Sequence, residues 1–263
     1  MEAPASLSEL RNRLKGAAVP AHMAVIPDGN RRWAGEQGLS PIEGHRRGFD
    51  VAKRLGRFCR EIGIHTTTVW AFSTENWRRH PSEVKALMVF YEEWISDLLP
   101  EAIEEEARLI HIGRREGLPR EVEAEAGLAG FSEGLPQSLR RVIEEAEAKT
   151  ASFDRYVINL AINYGGADEI HRAVGRLFEH AGATGADPAS LDLADFLDTA
   201  GQPHPNADMV WRTSGEFRSS GFLPLQSAYA EMVFSPKYFP DVTEEDVVEA
   251  ILEYSARVRR FGG

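Results

Sequence analysis

The stretch MAVIPDGNRRW, residues 23–33, decides how the rest of the chain is read. Its first four residues are apolar and suit an extended strand, and the polar loop after them leads into a helix beginning near Arg31. A strand, a polar loop and a helix in that order make the first half of a βα unit. The alternation recurs downstream. HTTTVWAF (65–72) is β-branched and aromatic and reads as a second strand, followed by a loop from Ser73 to Pro81 and a helix from Ser82 to Glu106. ARLIHIG (107–113), YVINLAI (156–162), DMVW (208–211) and EMVF (231–234) supply four more strands, and Thr243 to Arg260 a closing helix. This alternation predicts an α/β fold, a mostly parallel six-stranded sheet with helices on both faces. Ligands of such sheets sit beyond the carboxyl ends of the strands, so chemistry is expected in the loops that follow them.

Bulk properties narrow the function classes. With 263 residues, 43% hydrophobic and 27% charged, the chain has the apolar content for a full core and an ordinary globular charge density. A formal net charge of −11 disfavours a broad nucleic-acid-binding face, so no nucleic-acid partner is expected; thirty Lys and Arg still allow a local basic pocket. Cys59 is the single cysteine, which excludes an intramolecular disulfide and a cysteine zinc cage. The opening MEAPASLSELRNRLK lacks the apolar run of a signal peptide, and no stretch approaches the roughly 20 apolar residues of a membrane span. A cytoplasmic location with at most peripheral membrane contact is the expectation. EGLP occurs at 116–119 and again at 133–136, which reads as a local duplication lengthening a surface helix rather than a repeat array.

Three loops carry unusual side chains. In the first, Asp28 offers a carboxylate suited to a hard cation, Gly29 lets the backbone approach a ligand, and Asn30 offers an amide. Arg31 and Arg32 stand at a helix start, where anions are favoured. An arginine pair beside a carboxylate suits a magnesium diphosphate, and an Asp-Gly turn with solvated arginines accounts for the same residues equally well. The second loop presents Ser73, Thr74, Glu75, Asn76, Trp77, Arg78 and Arg79 before Pro81 and Ser82 open a helix. A cap at Ser82 and packing by Trp77 explain part of this loop but not the run from Asn76 to Arg79. The third, WRTSGEFRSSGF (211–222), sets Arg212, Ser214, Arg218, Ser219 and Ser220 around Gly215, a second anion cradle after a strand. Glu231 is a candidate second carboxylate for a metal, with a solvated glutamate as the ordinary alternative. Two such loops on one sheet edge point to two anionic substrates brought together.

The strings HMAVIPDGNRRWA, IEGHRRG, AFSTENWRR, INYGG and RTSGEFRSS followed by AYAEMVF resemble, in that order, the cis-prenyltransferase (undecaprenyl diphosphate synthase) family. They extend from His22 to Phe234. The resemblance implies that family's fold, with a single catalytic domain over residues 21–263 behind an N-terminal helical extension, residues 1–20. It implies a condensation in which an allylic diphosphate (C5–C15) ionises, the double bond of isopentenyl diphosphate attacks the cation, and proton loss leaves a Z double bond. By the same resemblance Asp28 works with Mg2+ at the departing diphosphate. Gly29, Asn30, Arg31, Arg32, Trp33, His45 and Arg79 line the allylic diphosphate site, although a histidine at a helix start is by itself more often a cap or packing residue. Asn76 falls at the position that assists proton removal, beside Ser73, Thr74, Glu75 and Trp77. Lacking a useful pKa, it would orient a water or a diphosphate oxygen rather than act as the base. Arg212, Arg218, Ser219 and Ser220 would hold isopentenyl diphosphate, and Glu231 would be a second magnesium contact. A homodimer is implied as well, its Arg260-Phe261-Gly262 tail reaching the neighbour's diphosphate; a basic helix end facing its own dipole is the local alternative.

The pattern departs from the family at Pro41, where a basic residue is common, leaving Arg46 or Arg47 as substitutes. It departs again at Gly221-Phe222-Leu223-Pro224-Leu225-Gln226, which lacks the tryptophan expected before the glutamine and so bears on subunit packing. The product tail is expected in an apolar tunnel between the sheet and the helix from 82 to 106. An inward-facing Phe90, Tyr91 or Trp94 would stop elongation early, and a core role is the alternative for each. Three other readings compete. The all-helical prenyl synthase type needs a DDxxD motif that this chain lacks. A non-catalytic partner subunit would lack the set Asp28, Asn30 and Arg32. An enzyme joining two allylic units irregularly would use the same loops and differ only in product.

Overall fold

The computed structural model describes residues 6–117 and 134–257. All six expected strands form: β1 His22–Ile26, β2 Thr66–Ser73, β3 Ala107–Ile112, β4 Tyr156–Tyr164, β5 Met209–Arg212 and β6 Glu231–Phe234. They pair in the order β3-β4-β2-β1-β5-β6, and every pairing is parallel, so the sheet is wholly rather than mostly parallel. The helices among the described residues are α1 Leu7–Arg13, α2 Asn30–Glu36, α3 Pro41–Glu61, α4 Pro81–Glu104, α5 Gln137–Thr150, α6 Gly166–Thr184 and α7 Glu244–Ala256.

Local chemistry sets the helix boundaries. Pro41 occupies the first turn of α3, and Ser40 and Glu43 cap each other's backbone N–H reciprocally. Thr243 and Asp246 do the same for α7. That helix ends at Ala256, short of the expected Arg260; residues 258–263, and with them the Arg260-Phe261-Gly262 tail, lie outside the described residues. The EGLP repeat runs into residues 118–133, which lie outside them too.

The register sets Met23 beside Thr67 and Met209, and Val25 beside Val69 and Trp211, on one face of the sheet. There they meet Val51, Leu55 and Phe58 of α3 and Val247 and Ile251 of α7, with Leu10 and Leu14 of the N-terminal segment in the same core. α4 and α5 continue this layer over β3 and β4 through Leu87, Ile95, Leu139 and Ile143. Each such side chain, taken fully out of water, contributes about 1.5–3 kcal/mol. Cys59 lies within this layer, and burial pushes its thiol up to about 12, so it is no nucleophile. Phe222 and Leu223 cover Ala24, Ile26 and Val210 on the opposite face. α6 is tied to that covering segment by Gln226, which donates to Glu169 at 2.7 Å. No helix among the described residues is long and apolar enough to cross a membrane.

β1 has β2 on one side and β5 on the other, so the winding of the chain reverses at β1. The loops after β1, β2 and β5 therefore open from one point on the carboxyl edge of the sheet.

Two buried histidines make the fold sensitive to acid. His22 shares its Nε2 with the Thr68 hydroxyl at 2.7 Å, and His111 Nε2 donates to the Ile162 carbonyl at 2.8 Å. Burial lowers both rings to about 4. Unfolded rings near 6.5 take up protons that the folded rings refuse, so stability should fall as pH drops from about 6.5 to 4, by up to about 1.4 kcal/mol per pH unit for each ring. Urea midpoints measured across that window should decline less steeply for His111→Gln than for the parent. Equal slopes would contradict this account.

Candidate active site

β1 ends at Ile26, and the Asp28 N–H donates back to the Ile26 carbonyl at 2.9 Å, turning the chain sharply off the sheet. Gly29 completes the turn at φ 101, where a side chain is strained, and a Cβ there would stand 2.7 Å from the Tyr238 ring. α2 then leans on α3 at two glycines. A Cβ on Gly44 would lie 2.2 Å from the Asn30 carbonyl oxygen, and one on Gly48 would lie 2.3 Å from Asn30 Oδ1. The Asn30 Nδ2 donates to the Pro27 carbonyl at 3.1 Å, while its buried Oδ1 has no partner.

Asp28 is the hub of the loop. Its Oδ1 accepts from the Gly29 N–H at 2.7 Å and from Arg32 at 3.3 Å, and its Oδ2 accepts from Arg212 at 2.8 Å. Arg212 ends β5 with only 5% of its surface exposed, and it also donates to the Arg218 carbonyl at 2.6 Å and to Ser220 at 2.8 Å. Arg32 reaches across to Ser214 and to Glu216. The first and third loops are thus joined by charge-assisted bonds through one carboxylate.

The second loop closes the other side. Asn76 Oδ1 accepts the Ser73 N–H at 3.2 Å, so the group it has left for the cleft is its NH2, a donor. Arg79 donates to His45 Nε2 at 3.3 Å and to Glu83 at 3.3 Å. Burial, then the nearby Arg79 and Arg31, hold His45 down at about 3, so it is neutral and accepts from Arg79. Its 3.7 Å approach to Glu83 is accordingly no ion pair.

These groups line one cleft of about 690 Å³. Of the residues expected from the sequence, Asp28, Gly29, Asn30, Arg31, Arg32, His45, Ser73, Asn76, Arg79, Arg212 and Ser220 face it. Pro41, the departure from the family pattern, is in its wall as well. The others stand back. The Trp33 indole donates to Asp241 at 2.8 Å, and the Trp77 indole to Asn163 at 2.8 Å. Thr74 is buried against Gly165, Glu75 is exposed, and Arg218 turns to Glu216. Ser219 is half-buried outside the cleft wall. Glu231 sits level with Met209 at the start of the strands, bonded to Arg257 at 3.1 Å, while the cleft lies beyond Arg212 at their other end. Glu83 and Glu216 were not singled out in the sequence. Glu83 looks there like an ordinary first-turn helix acid, and only its spacing of four from Arg79 hints at the pair they form.

The donor set can be tested against a magnesium ion. Among the described residues no cluster of three or more His, Cys, Asp or Glu is placed to hold a metal, and Asp28 is the one carboxylate in the cleft wall. Mg2+ characteristically takes one or two carboxylates and completes its shell with substrate phosphates and water, so Asp28 facing a diphosphate-sized cleft fits it.

Residues 26–129 and 124–262 match a family model described as putative undecaprenyl diphosphate synthase. An isoprenyl transferase of Listeria monocytogenes is 40% identical over 248 residues, 93% of this chain and 91% of that protein. An isoprenyl transferase of Thermus thermophilus is 39% identical over 262 residues, covering 96% and 92%. Among solved structures, lavandulyl diphosphate synthase from Lavandula x intermedia, in complex with dimethylallyl diphosphate, superposes with a TM-score of 0.80 at 29% identity, over 93% of this chain and 98% of that one. A probable undecaprenyl diphosphate synthase from Campylobacter jejuni gives 0.70 at 28% identity, over 94% and 100%.

The glycine contacts give a stability test within the α2–α3 pair. Gly48→Ala should destabilise by about 1–3 kcal/mol, because Asn30 must move. Gly35→Ala, where a Cβ meets nothing within 4 Å, should be neutral or stabilise by about 0.4–1 kcal/mol. Thermal unfolding of the two variants side by side decides it, and equal shifts would remove the argument for close α2–α3 contact.

Proposed function

The chain belongs to the undecaprenyl diphosphate synthase family of prenyltransferases, and from that membership and the cleft's geometry we propose that it condenses isopentenyl diphosphate with an allylic diphosphate. The reaction is magnesium-dependent, adds a Z-configured unit and releases diphosphate. One observation carries this reading: a single carboxylate, Asp28, stands between two arginine-bearing walls of one cleft, bonded to Arg32 at 3.3 Å and to Arg212 at 2.8 Å.

The allylic diphosphate belongs beside Arg31, Arg32, Arg79 and His45, and isopentenyl diphosphate beside Arg212 and Ser220. The allylic C–O bond breaks with its electron pair leaving on the diphosphate, so negative charge grows where the arginines already point. Asp28 would hold the magnesium ion, which when bound would supply Lewis-acid assistance to that departure. Neutral His45 adds a hydrogen-bonding contact without further repulsion of Arg79. The isopentenyl double bond then bonds to the allylic carbon, and the surplus proton is lost to a diphosphate oxygen. Asn76 donates through its NH2 and orients that oxygen; it is a positioning group, not the base. Glu231 is assigned no part in this scheme within one chain.

The reading extends to assembly. Phe217 and Tyr229 are 78% and 77% exposed, and Phe217 packs on Phe234 of the edge strand β6 with ring centroids 5.1 Å apart. An apolar surface of this kind supports a homodimer formed along that edge. The likeness to lavandulyl diphosphate synthase keeps irregular coupling of two allylic units as a second reading, ranked lower because the isoprenyl transferases are more similar in sequence.

Purified protein with Mg2+, labelled isopentenyl diphosphate and allylic starters of five to fifteen carbons should form longer prenyl diphosphates. Products built only from the allylic units would favour irregular coupling, and no product from any starter would overturn both readings. Asp28→Ala should lose about 10²–10³-fold in turnover while keeping its far-ultraviolet circular dichroism. Normal turnover in that variant would refute the metal assignment.

A further inference from the structure

Behind the anionic cleft an apolar crevice of about 40 Å³ runs between α3, α4 and the sheet. Ala52, Val69 and Phe239 line both spaces, so the crevice opens directly off the place where a diphosphate would sit. Val25 and Leu160 line it near the cleft, and Met23 and Ile158, two residues earlier on the same strands, line it deeper in. Of the three bulky aromatics on α4, Trp94 alone faces the crevice. Tyr91 is buried and donates to the Ala71 carbonyl at 2.8 Å, and Phe90 packs at a tilt against Phe49 with ring centroids 4.5 Å apart.

Charge interrupts this apolar lining at Lys53 and Arg60. Arg60 lies about two turns along α3 from Ala52, and its side chain is only 4% exposed. It donates to Glu101 and to Glu105 of the α4 end, at 2.7 Å each. Glu101 also takes Arg57 at 2.7 Å and lies 4.0 Å from Lys53. Three cations of α3 are therefore clasped to two acids at the end of α4, across the deep end of the crevice.

Resting on the prenyl-elongation reading above, we infer that this Arg60–Glu101–Glu105 clasp is the floor of the product channel and sets product length. The crevice now holds about one water's volume, so a growing tail must part α3 from α4. It can do so where the contacts are apolar, because hydrocarbon replaces hydrocarbon. At the clasp a tail would separate buried charges and offer them nothing in return. From Phe49 to Arg60 α3 advances eleven residues, about 16 Å at 1.5 Å per residue. With four chain carbons spanning about 5 Å per isoprene unit, three to four units fit above the floor.

The test uses full-length protein, the shortest allylic starter and excess labelled isopentenyl diphosphate, with dephosphorylated products sized by chromatography. The parent should stop at three to four units. The double variant Arg60→Met, Glu101→Leu, which replaces both charges with apolar groups of similar size, should add at least one more. An unchanged distribution in that folded variant would overturn the inference. So would lengthening by Trp94→Ala alone, which would make the indole the stop. A second measurement needs neither turnover nor the variant: calorimetric binding of a series of prenyl diphosphates to the parent. Affinity should rise with each unit up to three or four and then fall at least several-fold. A steady rise through longer chains would remove the floor even if condensation is confirmed, and absent condensation with the expected break would fault the reaction alone.

Discussion

Arg32, Arg212 and Asp28 form the contact on which the rest of the site depends. Three loops from separate strands must be held together at the sheet edge before any substrate arrives, and four arginines must be kept close without repelling one another apart. Asp28 meets both needs. Its carboxylate accepts from Arg32 and Arg212, while its carbonyl accepts from the Thr213 hydroxyl at 2.8 Å and the Phe239 N–H at 3.0 Å. Glu83 plays the matching part behind the other wall, 3.3 Å from Arg79 and 3.7 Å from Arg31. A chain with net charge −11 can thus present a cleft that attracts anions, because its acids are spent pairwise on the arginines that face the ligand.

The fold makes that pairing possible by reversing its winding at β1. β2 and β5 flank β1, so the loops they carry approach the Asp28 turn from opposite sides. Close packing then fixes the turn. Gly29 clears Tyr238 and Ser214, and Gly44 and Gly48 let α3 come within touching distance of Asn30. The apolar layer under α3 and α4 completes the arrangement, since the helices that carry His45 and Glu83 at their cleft ends also wall the crevice behind it.

Much of this was legible in the sequence because local patterns dictate it. Alternating apolar strands and capped helices gave all six strands and the sheet's parallel sense, and the loops after β1, β2 and β5 held ten of the expected residues that line the cleft, with His45 on α3 the eleventh. What was not legible depends on register and on which way a side chain turns. Trp33 and Trp77 stand in the right loops, but each indole needs an acceptor, and Asp241 and Asn163 lie away from the cleft. Glu231 reads as a metal-site carboxylate, and only strand register shows that within one chain it lies level with Met209, at the other end of β6 from the cleft. Glu216 was hidden because its sequence neighbours are the obvious cations, and its partner Arg32 lies 184 residues away.

The arginines of the cleft are held by partners within the chain. Arg212 gives its two Nη groups to three acceptors, Asp28, the Arg218 carbonyl and Ser220, and its buried Nε has no partner among the described residues. Under the proposed function, a cation held by Asp28 would compete with the Arg212 Nη2 for that carboxylate and free the guanidinium for a diphosphate. Under that reading, diphosphate affinity would be a difference between two sets of charge-assisted bonds.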